Sequence, residues 1–120
     1  MLENMSQHEY VEENYQKVDE LISMVEKLVT DNADKLTVRS AFKELKSFVR
    51  IEYEKIHKKK YFGSYIFDWY HPVIEKIHLT ALGETRVNAS VECIDNAVKH
   101  ARLFYKEWYE KLESLKNNNE

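Results

Sequence analysis

Between Val87 and Leu115 apolar residues recur in alternating steps of four and three: Val87, Val91, Ile94, Val98, Ala101, Tyr105, Trp108, Leu112 and Leu115. At ~3.6 residues per turn these steps keep one side of a helix apolar for about eight turns. A stripe that long must be covered, and other helices are the natural cover. The chain has 120 residues but only two Gly and one Pro, so it has little material for turns. That disfavours a β architecture, which needs many turns, and favours a few long helices in one domain.

Three shorter stripes complete the pattern. Val11, Tyr15, Val18, Ile22, Val25 and Val29 form the first, behind a Ser6/Glu9 capping box. Val38, Phe42, Leu45, Val49, Tyr53 and Ile56 form the second, and Ile66, Tyr70, Val73, Ile77 and Ala81 the third. The polar run 30–34, Lys58-Lys59-Lys60 before Gly63, and Leu82-Gly83 separate them. Thr85 is the expected cap of the last helix. The expected helices are about 6–30, 36–60, 64–82 with a kink near Pro72, and 85–116. Short connections make neighbours antiparallel, so residues 1–120 read as one all-α domain, an antiparallel up-down four-helix bundle with a long C-terminal helix. The end of that helix, with Trp108, Leu112 and Leu115, outruns the others, and a second copy of the chain is expected to cover it as a homodimer.

The single cysteine, Cys93, suits a reducing compartment. No apolar run reaches the ~18 residues of a membrane span. The opening residues lack the basic and apolar stretches of a secretion signal. The expected setting is cytoplasmic.

Net charge is only −3, but it is unevenly spread. Residues 1–34 carry nine acids and two bases, whereas 35–60 carry nine bases and three acids. Arg39, Lys43, Lys46 and Arg50 share one flank of helix 2, while Glu12, Asp19 and Glu26 stand seven apart on helix 1. Folding the pair antiparallel would set Glu26 against Arg39, Asp19 against Lys46, and Glu12 level with Arg50 and Tyr53, a ladder that fixes register. The competing reading is a nucleic-acid surface along the same flank.

Lys55, Lys58, Lys59 and Lys60 have no acidic row opposite and lead into Tyr61, Phe62, Tyr65, Phe67 and Trp69. Lysines contact phosphates or carboxylates, and rings stack on bases or anchor a protein partner. These nine residues are the candidate partner-binding site, for an acidic protein or a nucleic acid. The expected protein is non-enzymatic, with no cofactor or metal: an accessory subunit, an inhibitor or an immunity-type protein. Bacteriocin immunity proteins share this size and architecture.

The alternative is a metal-binding or RNA-cleaving bundle. Glu54-Lys55-Ile56-His57 and Glu75-Lys76-Ile77-His78 repeat the Glu-x-x-His of di-iron carboxylate bundles. Ile56 and Ile77 occupy the core phase, however, and each Glu is turned from it by about 200°. His71, Glu75 and His78 share a helix face that suits a surface zinc ion. Arg50 and His57 resemble the Arg-x(4–6)-His signature of HEPN ribonucleases, although Ile51 stands where that family has a polar residue. The resemblance implies that Arg50 steadies a phosphate and His57 acts beside it.

Overall fold

Asn32 carries the feature that turns the chain back on itself. Its φ of 57° lies in the left-handed region, which Asn tolerates better than most residues. Asn32 N–H donates to the Val29 carbonyl (3.1 Å) and Ala33 N–H to that of Leu28 (2.9 Å). This is a Schellman ending, and it stops α1, Gln7–Thr30. Asp34 then opens α2, Lys35–Lys59: its carboxylate accepts from the Thr37 hydroxyl, and its carbonyl from Val38 N–H.

The computed structural model describes residues 7–59 and 71–118. Among them are four helical segments and no strand. α3 begins as an α-helical turn, His71–Glu75, and continues as a π-helix, Lys76–Leu82. α4 spans Val91–Asn118. α1 lies against α2 and α4, and α3 lies against the same two helices. No helix among the described residues is long and apolar enough to cross a membrane.

The stripes supply the core. Val18, Ile22 and Val25 meet Val38, Phe42, Leu45 and Val49, with Ile94, Val98, Ala101, Tyr105 and Trp108 from α4. Burial of each large side chain contributes about 1.5–3 kcal/mol. Trp108 is fully buried among the chain's own residues, with Tyr15 and Tyr105 set edge-on to it. This corrects the expectation that Trp108 needs a second subunit. Ser6 of the Ser6/Glu9 box and the core residues expected at Ile66 and Tyr70 lie outside the described residues, as does the chain from 60 to 70 that leads toward Pro72.

Two features differ from expectation. α4 begins at Val91, not at residue 85. Ser90 is its cap, with Oγ accepting from Cys93 N–H (3.2 Å). The segment 83–90 is a connection, and Val87, the expected start of the long stripe, is a half-buried loop residue packed on the core. The π-helix is the second departure. Bonds from i to i+5 bring residues five apart onto one side, so Ile77, Ala81 and Leu82 are all buried. Gly83 follows without a left-handed φ. It is needed for space, because a Cβ there would stand 2.4 Å from the His78 carbonyl oxygen.

Candidate functional site: a basic cleft beside the second helix

Asp19 and Glu26 of α1 do not pair with Lys46 and Arg39 of α2. Arg102 of α4 takes both carboxylates instead. Its Nη1 donates to Asp19 (2.8 Å), its Nε and Nη2 to the two oxygens of Glu26 (3.2 and 2.8 Å), and Nη2 also to Ser23 Oγ (3.1 Å). The guanidinium also lies 5.0 Å from the centre of the Tyr105 ring. Hydrogen bonds to Glu26 and Asp19 hold the Arg102 pKa above its ordinary range. Beside it Tyr15 stacks on Tyr105, centroids 4.7 Å apart, and burial pushes both phenols up. The expected Glu26–Arg39 and Asp19–Lys46 rungs are therefore corrected: α1 spends these carboxylates on α4.

The α2 cations have different partners. Arg39 Nε donates to the Ala89 carbonyl (3.0 Å), and Lys46 Nζ to the Thr85 carbonyl (2.7 Å). Both strap the 83–90 connection onto α2 with backbone acceptors, which carry no charge to neutralise them. Lys43 is exposed, and Arg50 makes a long 3.8 Å pair with Glu54 one turn on. Such exposed pairs contribute ~0.2–1 kcal/mol.

These side chains converge. Lys43, Lys46, Ser47 and Arg50 of α2, His78 of the π-helix, Gly83 and Val87 line a cleft of about 360 Å³. That volume lies in the range of small-ligand sites, roughly 300–1,000 Å³. Among the described residues no carboxylate lines it. Burial lowers the pKa of Lys46. Burial is also the main cause of a lowered His78 pKa, which Glu54 opposes and the cations Arg50 and Lys46 reinforce. His78 packs its ring 5.0 Å from that of Tyr53. A second, wider groove holds Met24, Leu28, Leu36 and Glu44 between α1 and α2, and among the described residues no Lys or Arg lines it.

The residues expected to bind a partner are mostly not reached. Lys60, Tyr61, Phe62, Tyr65, Phe67 and Trp69 lie outside the described residues. Lys58 and Lys59 are in the last turn of α2, their side chains undescribed. Lys55 is exposed at 3.7 Å from Glu52, a buried carboxylate that also accepts from Asn14 Nδ2 (3.1 Å). One lysine of the set thus has a structural task.

The alternative readings fare as follows. Among the described residues no group of three or more His, Cys, Asp or Glu gathers as a metal site. Ile74 and Ile77 hold the buried phase of α3, while Glu54, Glu75 and His78 are half-buried. The His57 and His71 side chains lie outside the description, so the Arg50/His57 pairing gains no geometry.

Two participants escaped the sequence pattern. Arg102 stands beside Ala101 on the flank of the α4 stripe, and that position could have marked it as the partner of the α1 acids. His78 reaches the α2 cations through the π-helix, which no stripe announces. Compared with protein-family models, curated proteins and solved structures, the chain matches none.

Proposed function

We propose that this protein is a non-enzymatic binding module, cytoplasmic, that docks an acidic macromolecule on the basic side of α2. The supporting fold is an antiparallel up-down four-helix bundle. The observation that carries the reading is the pairing of α1's Asp19 and Glu26 with Arg102, while Lys43, Lys46 and Arg50 of α2 gather around a cleft that no carboxylate among the described residues lines. Lys58 and Lys59 add positive charge in the last turn of α2, and Lys60 follows them in sequence. The aromatic run from Tyr61 to Trp69 would add buried area there once the charges have steered a partner in. An accessory subunit, an inhibitor or an immunity-type protein would act in this way.

The test uses the full chain and two defined polyanions, a single-stranded oligonucleotide and a poly-glutamate peptide. Fluorescence anisotropy at low and moderate salt is expected to give binding to at least one, weakening as salt rises. Changing Lys58, Lys59 and Lys60 to Glu should weaken it further. Absence of binding to both at low salt would overturn the reading.

A further inference from the structure

We infer that the cleft between α2 and the 78–87 segment is a phosphate-monoester site, the anchoring point of the docking face. This rests on the proposed function in treating the α2 cations as available to a ligand. Three features of the site carry it. The first is a donor side chain on five of the seven lining residues, set among the apolar surface of their stems and of Val87. Lys43 offers ammonium N–H groups, Arg50 a guanidinium fork, Ser47 a hydroxyl and His78 a ring N–H. Lys46 uses one N–H on the Thr85 carbonyl, and an ammonium has two more.

The second is charge. Lys43, Lys46 and Arg50 bring three positive charges, and Glu54, at 3.8 Å from Arg50, offsets one. The remainder matches a phosphate monoester, which carries about −1.5 to −2 at neutral pH on three acceptor oxygens. A side-chain carboxylate has one charge and two oxygens, too few for five donor side chains. The third is construction. Gly83 lets the π-helix close on the His78 carbonyl, and Tyr53 packs against the His78 ring. The histidine is held at the wall by elements on both sides.

Inorganic phosphate is the first probe, titrated into the labelled full chain at constant ionic strength with chloride as control. Phosphate-specific NMR shifts are expected at Ser47, His78 and Gly83. Arg50→Gln and Lys43→Gln should each weaken the apparent affinity by about tenfold, as loss of a charge-assisted contact does. Both side chains are exposed, so the variants should fold. Shifts that chloride reproduces, or that ignore both substitutions, would overturn the site. The second arm compares a 5′-phosphorylated oligonucleotide with its 5′-hydroxyl twin. A preference of about tenfold for the phosphorylated form supports the site with the monoester at a nucleic-acid end. Equal binding, with inorganic phosphate still seated in the cleft, supports it with the monoester on a small molecule. Salt-sensitive oligonucleotide binding without any phosphate effect at His78 sinks the phosphate site and spares the wider docking proposal. Phosphate seated in the cleft with neither polyanion bound does the reverse.

Discussion

The α1–α4 face and the α2 face both carry rows of charge, yet they use it differently. On the first, one guanidinium gathers two carboxylates and a hydroxyl while lying over Tyr105. On the second, Arg39 and Lys46 reach backbone carbonyls of the 83–90 connection, and Lys43 and Arg50 stand at a cleft. A charge answered by opposite charge serves packing and register. A cation answered only by a carbonyl holds a loop and keeps its field, which makes it useful to a ligand.

The comparison breaks most visibly at Arg102. Arg102→Met leaves Asp19 and Glu26 facing each other without a cation. Their side chains are 46% and 39% exposed, so water recovers part of the loss. The expected cost is about 3 kcal/mol, read as a lower urea midpoint with an unchanged slope. Gly83→Ala comes next. Its Cβ would meet backbone, which cannot swing aside, and overpacking of this kind costs about 2 kcal/mol. The same variant should move the His78 ring resonances, whereas Arg102→Met should not.

Lys46→Met separates holding a loop from holding a core. Loss of the Thr85 contact is expected to cost about 1 kcal/mol, with faster amide exchange confined to residues 84–90. Exchange that rises throughout α1 would contradict this division. The smallest effect is a pH slope. The His78 pKa is lower in the folded chain than its ordinary 6.5, so below about 6.5 the unfolded chain binds more protons. Stability is then complete above that pH and falls as acid is added, down to the folded pKa. His78→Gln should flatten the slope of unfolding free energy between about pH 7 and pH 5; an unaltered slope would assign it to other groups.

Much of the fold was legible because apolar spacing is a local signal. Val18, Ile22 and Val25, Val38 to Val49, and Ile94 to Trp108 are buried where their periodicity puts them. Helix ends were less so. Thr85 and Ser90 are equally good caps by chemistry, and the choice between them depended on where Val87 packs. The π-helix was invisible because Ile77 and Ala81 fit an α spacing as well. Charge pairing was misjudged for a related reason. Seven-residue spacing places Asp19 and Glu26 on a flank, but a flank in a bundle borders two neighbours, and sequence adjacency favoured α2 over α4. The candidate cleft was half legible: its α2 cations were grouped from the start, whereas His78 joins them only through the backbone at Gly83.

The most direct test is a pair of double-mutant cycles on Glu26, one with Arg102 and one with Arg39. Urea unfolding of Glu26→Gln, Arg102→Met, Arg39→Met and the two doubles is expected to give a coupling above about 1 kcal/mol for Glu26–Arg102 and within about 0.5 kcal/mol of zero for Glu26–Arg39. Strong Glu26–Arg39 coupling with none to Arg102 would mean that the α2 cations are spent on α1, and the basic face would no longer be free to meet an anion.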